Sequence, residues 1–326
     1  MYSRRAFLGK AAAACLMVGG CGRGGQGGKP RLRVSLTGKG ESDTRLLFKA
    51  AGIKPDGFDI HYSEFSSGHL VVEALNSGSL DYGGMSEIPP IFAAASTIQS
   101  FRQIAVFHGD VNNQVVLLPK GSKARSIAEL KGKRVGYVRA TTSQYFLIRM
   151  LEEAGLGWDD IIPVAMTVAD GTAAFSQGAL DAWAIYGFPI QRAIATEGAR
   201  ILRTANGILS GNYLISAHVD ALADPEKSRI IGDYLGLVQK AFDWAVANQD
   251  EWMIIVAKEI GVPRDYVVDQ FRRRSANYEL RPVTDAAIAS QQQVADVFHK
   301  AGLIPKPVDV RPLWDARFNA QIPQRG

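Results

Sequence analysis

One phrase occurs twice in this chain, 100 residues apart. Ala74, Gly78, Leu80, Asp81 and Pro89 return as Ala174, Gly178, Leu180, Asp181 and Pro189. In each copy a helix ends at the glycine and a short apolar strand begins at Leu-Asp. The proline then opens another helix, where its missing N–H costs little. The likeness reaches further back. Arg33-Val34 and Arg134-Val135 each start an apolar run, and amphipathic helices ending Ala51-Gly52-Ile53 and Ala154-Gly155-Leu156 follow them. Residues 31–95 and 132–195 therefore read as two copies of a strand-helix-strand-helix-strand-helix unit. The next strands, opening at Asn113 and at Asn212, are similar as well. One such match is ordinary punctuation. Several in one order, at offsets between 99 and 103, argue for a true repeat. The unit is too long for a solenoid, so it specifies paired lobes, and paired lobes place a ligand between them.

The length supports the same division, because 326 residues exceed what one core usually serves. The formal charge of +5 owes much to the first 20 residues. They hold Arg4, Arg5 and Lys10 and no acid, so without them the balance falls to +2. Nucleic acid is therefore not an expected partner. Ser3-Arg4-Arg5-Ala6-Phe7-Leu8 resembles a twin-arginine export motif. Ala11 to Gly20 is apolar but much too short to span a bilayer. Val18-Gly19-Gly20-Cys21 resembles a lipobox with Cys21 as the lipidated residue, and five glycines between 22 and 28 form a tether. The expected organisation is an export signal over 1–20 and a glycine-rich tether over 21–30. Localisation is then periplasmic, or lipid-anchored outside the cytoplasmic membrane. Only Cys15 and Cys21 exist, both in the leader, so the folded part has no disulfide, thiolate metal site or cysteine nucleophile.

Within the folded part, the pattern predicts strands over 31–37, 58–65, 80–83, 101–107 and 113–118. Helices are predicted over 42–51, capped by Ser42, and over 69–77. After residue 218 the texture is mostly helical. A long helix follows Thr284 and stops at Gly302. Alternating strands and helices imply parallel sheets, whose ligands sit beyond the C-terminal strand ends. The loops there hold Thr37 and Gly38, Ser67 and Gly68, Met85, Ser86 and Glu87, Thr142 and Ser143, and Tyr186 and Gly187, with Asn113 and Asn212 at the crossings. Hydroxyls and free helix N–H groups make an anion site without Lys or Arg. Any single loop reads equally as ordinary capping, and convergence on one cleft is what would distinguish them. Ser67, Ser86, Thr142 and Ser143 are the expected anion pocket. Glu87 reads either as a first-turn acid or as an acid that recognises an amine or hydroxyl. The five histidines lack metal-ligand spacing and no nucleophile elbow occurs, so neither catalysis nor a metal or other cofactor is expected.

Four stretches carry a family resemblance: Leu80-Asp-Tyr-Gly-Gly through Pro-Pro-Ile-Phe-Ala, Pro119-Lys-Gly-Ser through Leu130-Lys-Gly-Lys-Arg-Val, Leu180-Asp-Ala-Trp-Ala-Ile, and Arg281-Pro-Val-Thr-Asp onward. They resemble solute-binding proteins of ABC importers in the aliphatic sulfonate, taurine and nitrate group. The resemblance implies a two-lobed periplasmic-binding-protein-like α/β fold with two hinge strands and a helical C-terminal region. It places lobe one at 31–115 plus 218–326 and lobe two at 116–217. It implies a monomer that captures a small anionic solute, an aliphatic sulfonate first, and hands it to a permease and its ATPase. Nitrate, taurine or a pyrimidine precursor, or a desulfinase-like enzyme on the same scaffold, are the alternatives. Where the family often has an aromatic, an acid and Pro after Asp-Ala-Trp, this chain has Tyr186-Gly187-Phe188-Pro189, without the acid. Contacts made by that acid are therefore not carried over.

Overall fold

The computed structural model describes residues 28–95 and 99–323; the export signal and Cys21 lie outside them. The first repeat copy folds as β1 (Arg31–Thr37), α1 (Thr44–Ala50), β2 (Asp59–Phe65), α2 (Gly68–Asn76), β3 (Tyr82–Ser86) and α3 (Ile88–Ala94). Then come β4 (Phe101–His108) and β5 (Gln114–Leu118). The second copy is β6 (Arg134–Tyr137), α4 (Thr142–Glu153), β7 (Ile162–Ala165), α5 (Val168–Ser176), β8 (Ala182–Tyr186) and α6 (Pro189–Glu197), closed by β9 (Arg200–Thr204) and β10 (Asn212–His218). The remainder is α7 (Val219–Ala223), α8 (Pro225–Ala247), α9 (Gln249–Ile260), α10 (Arg264–Arg273), the short β11 (Glu279–Arg281) and α11 (Asp285–Lys300).

Two sheets result, with strand orders β11-β4-β10-β3-β1-β2 and β7-β6-β8-β5-β9. Read from β2 and from β7, their first five strands have one topology: second strand, first, third, an antiparallel strand, then the strand that ends the copy; β11 is added at the edge of the first sheet. The antiparallel strand is exchanged between halves. β5, next after β4 in the chain, pairs with β8 in the second sheet; β10, next after β9, pairs with β3 in the first. This corrects the expected boundary at 218. Residues 212–217 were expected in lobe two, but Tyr213–Ala217 form an antiparallel ladder with β3 and so belong to the first sheet. The chain crosses in the segments 109–113 and 205–211, which are tied by a 3.0 Å bond from Gly109 N–H to the Gly211 carbonyl.

The repeated phrase has a physical basis. Asp81 accepts from the backbone N–H and the guanidinium of Arg33, and Arg33 also donates to the Gly78 carbonyl. Asp181 accepts in the same way from Arg134, which reaches the Gly178 carbonyl. Each Arg thus clips the first strand of its unit to the turn before the third. Gly78 and Gly178 both have φ of +70°, which suits a residue without Cβ. The copies differ in burial: the Asp81 side chain is 1% exposed and also takes Lys227 Nζ at 2.8 Å, whereas that of Asp181 is 37% exposed.

Local chemistry departs from expectation in one cap. Asp43, not Ser42, caps α1, accepting from Leu46 N–H. An ionised carboxylate suits a helix N-terminus better than a hydroxyl. In the C-terminal region, Ile230, Ile231, Tyr234, Leu235, Val238, Ala241, Phe242 and Ala245 of α8 are buried in the largest apolar cluster, against β1, β4 and β10. The long helix α11 starts after Thr284 as expected, and Thr284 caps it by accepting from Ala287 N–H. In β6, a Cβ added at Gly136 would lie 2.5 Å from Leu180 Cδ1 and 3.1 Å from Trp183 Cδ1. Gly136→Ala is expected to lower stability by about 1–2 kcal/mol, at the mild end of overpacking because a leucine end can turn aside. Urea unfolding measures it; wild-type stability would show that this packing is loose.

Candidate functional site

The N-termini of α3 and α4, one from each half, reach a common cleft. Glu87, Ile88 and Val294 contribute from the first sheet's side, and Gln114, Thr142 and Tyr145 from the second. Leu209, Ser210 and Gly211 of the returning segment, with Asn212 and Tyr213 of β10, complete the lining. The halves also touch directly. Tyr145 of α4 stacks on Phe298 of α11 with centroids 5.9 Å apart, and Phe188 beside α6 packs on the core of the first half.

Glu87 is the acid of the cleft. It stands at the N-cap of α3 but makes no capping bond; its side chain turns to the returning segment. Oε2 accepts from Ser210 Oγ at 2.7 Å, with Asn212 and Ser290 also bonded to the carboxyl. Its main-chain carbonyl accepts from Gln291 of α11. Burial pushes the carboxyl up to about 7, against those hydrogen bonds, which favour the charged form.

Gln114 heads β5 and is also buried. Its Nε2 donates to the Tyr213 hydroxyl at 2.7 Å, which in turn donates to the Asp110 carbonyl. Behind this lies a polar cluster at the outgoing crossing. Asp110 Oδ1 accepts from Asn112 N–H and from both Ser275 N–H and Oγ, and Asn113 Nδ2 donates to Tyr278. Glu41 belongs to it, 3.8 Å from Arg274, and is pushed up to about 8 by burial and by Asp110.

The expected site residues separate into groups. Glu87, Thr142 and Asn212 line the cleft. Asn113 and Gly187 meet directly: Gly187 N–H donates to the Asn113 carbonyl at 2.9 Å, at the edge where the outgoing crossing joins β8. Tyr186 ends β8, its hydroxyl held by Thr141 and pushed up to about 12 by burial. Ser86 ends β3 opposite Tyr213.

Other expected residues serve the scaffold. Ser143 is fully buried; its hydroxyl accepts from Val138 N–H and donates to the Val138 carbonyl. That turn is closed internally, so the Ser143 hydroxyl does not reach the cleft. Ser67 bonds His69 Nδ1 at 3.0 Å. A Cβ at Gly68 would sit 2.9 Å from Pro89, so this glycine seats α2 on α3, and Met85 is buried in the apolar cluster beneath α2. Thr37 and Gly38 are exposed at the end of β1.

Gln114, Tyr145, Ser210, Tyr213 and Val294 were not expected. Tyr145 and Val294 sit on amphipathic stripes and read as core. Gln114 alone left a signal, as a polar residue heading the apolar run Val-Val-Leu-Leu. Before α4, Ala140 holds φ of +56°, the left-handed region disfavoured for a residue with Cβ, and its N–H is fixed by Gln144 Oε1 at 2.8 Å. The loop presenting Thr142 is thus held in shape before any ligand arrives. Among the described residues that line the cleft, none is Lys or Arg. No group of His, Cys, Asp and Glu among the described residues is arranged to hold a metal ion, and no helix among them is long and apolar enough to cross a membrane.

Residues 48–252 match the family described as NMT1/THI5 like. The chain is 32% identical over 257 residues to a protein of Escherichia coli (strain K12) provisionally named for binding aliphatic sulfonates, covering 78% of this chain and 79% of that one. The crystal structure of the periplasmic aliphatic sulphonate binding protein SsuA from Escherichia coli superposes with a TM-score of 0.76 at 30% identity, over 87% of this chain and 97% of that one. The alkanesulfonate-binding protein SsuA from Xanthomonas axonopodis pv. citri, bound to MOPS, gives 0.76 at 28%, over 87% and 98%. Desulfurization enzyme DSZB shares the fold at 15% identity, with a TM-score of 0.62. With the family match covering well over half of the chain, and with the two-lobed architecture of the SsuA proteins, this chain belongs to the NMT1/THI5-like family.

Proposed function

We propose that this protein is the extracytoplasmic solute-binding component of an ABC importer and captures aliphatic sulfonates between its lobes. The observation that carries the reading is the cleft itself, lined from both sheets and capped by the N-terminus of α4, in a chain similar over most of its length to sulfonate-binding proteins. A ligand touching both sheets favours the closed arrangement by its differential affinity for it. The leader supports export by a twin-arginine-type signal, with Cys21 acylated as a membrane anchor and the glycines behind it as a tether. Delivery to a permease and ATPase then follows, with the protein acting as a monomer.

Thermal melts with alkanesulfonates, taurine, nitrate and a pyrimidine test the reading. A ligand at about 100 times its dissociation constant should add about 2.7 kcal/mol, and so several degrees of melting temperature. No shift with any sulfonate would end the sulfonate assignment. Globomycin-sensitive processing and loss of membrane association in Cys21→Ala would test the anchor. The enzyme reading is met by assaying sulfite release from an aryl sulfinate; its detection would displace the transport role.

A further inference from the structure

The cleft is nearly shut. The cavity left among Glu87, Thr142, Tyr145, Val294 and their neighbours is about 10 Å³, the room of about one water. A sulfonate head, one sulfur and three oxygens, exceeds that before any carbon chain is added. The halves must therefore stand further apart to hold a sulfonate than they do here.

Two aromatic side chains of the second half hold this arrangement. Tyr145 of α4 is 5% exposed, in a cluster whose other buried members come from α3, α11 and the chain after it, and it stacks on Phe298. Phe188 packs on a buried cluster drawn wholly from the first half, and α6, which begins just after it, lies against α10. The turn that presents Phe188 is fixed: Gly187 holds φ of +75°, and its N–H is tied to the Asn113 carbonyl. Contacts of this kind gain by excluding water and need no solute, and a ring pair adds to the gain from area. Phe188 itself stands outside the cavity lining.

We propose that Tyr145 and Phe188 latch the two halves in a shut state that excludes solute, so that a sulfonate binds in competition with this apolar contact. The solute-bound state is then a wider closure than the shut one. The apparent dissociation constant is the intrinsic one divided by the fraction of molecules open enough to receive solute. Loosening the latch therefore tightens binding, the reverse of what losing a solute contact does. The proposal rests on the sulfonate reading above and adds a control on the same cleft.

Small-angle X-ray scattering of the solute-free protein, with calorimetry of propane-1-sulfonate binding, tests this in the wild type, Phe188→Ala and Phe188→Leu. Phe188→Ala is expected to show a larger radius of gyration than the wild type and to bind propane-1-sulfonate roughly 10-fold tighter. Phe188→Leu keeps an apolar side chain at the contact and should stay near the wild type in both measurements. Tyr145→Leu removes the ring stacking on Phe298 and should also enlarge the solute-free protein; it decides the matter if Phe188→Ala does not fold. Unchanged scattering in Phe188→Ala and Tyr145→Leu, or weaker sulfonate binding by Phe188→Ala, would overturn the latch. If neither the wild type nor any variant binds propane-1-sulfonate, the reading on which the proposal rests fails for that ligand, and the solute-free scattering still decides the latch.

Discussion

The Glu41→Gln variant is expected to be more stable than the wild type at about pH 9, by on the order of 4 kcal/mol, and to lose most of the wild type's pH dependence. Glu41 is 8% exposed in the loop after β1 and is pushed up to about 8. Burial is the main cause, Asp110 adds to it, and Arg274 at 3.8 Å offsets only part. A raised acid means that the folded state holds its proton more tightly than the unfolded chain does. The associated stability is therefore complete below about pH 4.5, the ordinary glutamate range, and drains away as pH climbs through about 8. Glu87, pushed up to about 7, adds a second loss in the same direction and completes it earlier. A glutamine keeps the shape and the Gln270 contact without a charge to bury. Urea unfolding at about pH 5, 7 and 9 measures the effect. Parallel wild-type and variant curves would mean that Glu41 reaches water or a cation when it ionises.

The second expectation concerns the repeated aspartate. Asp81→Asn should cost about 3 kcal/mol at neutral pH, near the lower end for breaking a buried ion pair. Arg33 and Lys227 converge on this carboxylate, and a neutral amide leaves both cations poorly paired. Their side chains are about a third exposed, which lets water take some of the loss. Desolvation opposes ionisation of Asp81, but the Arg33 and Lys227 hydrogen bonds outweigh it and hold the carboxyl down to about 2. Its contribution is thus present above about pH 4 and lost as pH falls through about 2. Asp181→Asn removes the same clip on the other lobe, yet the cost there should stay below about 1 kcal/mol because the pair is solvated. Equal losses at the two positions would show that the backbone bonds from Arg33 and Arg134, not burial, set the value of the clip.

These aspartates also show how far the sequence reaches. Gly78, Leu80 and Asp81 were legible as a repeat because turn geometry and strand polarity act within a few residues of the chain. The clip that explains them was only half legible. Arg33 and Arg134 were visible as the starts of matching apolar runs, but nothing in the spacing said that they close on Asp81 and Asp181 some 47 or 48 residues away. Helix starts fared similarly. The long helix begins at Thr284, which caps it, whereas the cap at α1 fell one residue later than Ser42, on Asp43, whose carboxylate also suits the positive end of the helix dipole.

The cleft was less legible than the scaffold. Glu87, Thr142 and Asn212 line it because they lie at strand ends or crossings that the repeat marks out. Ser143 has the same chemistry in sequence as Thr142. One step around the helix turns it inward to close its own loop, and no linear pattern separates the two. Tyr145, Val294 and Tyr213 read as core residues, since an apolar stripe looks the same whether it meets its own lobe or the other one.

The sequence by itself determined the paired units, their turns and the chemistry available at strand ends, because those follow from short-range backbone preference and periodic burial. Only the tertiary structure decided which strand each sheet exchanges and which polar groups meet between the lobes. Those outcomes depend on contacts between residues as distant as Glu87 and Gln291, or Gln114 and Tyr213, and such contacts exist only once both sheets have formed and met.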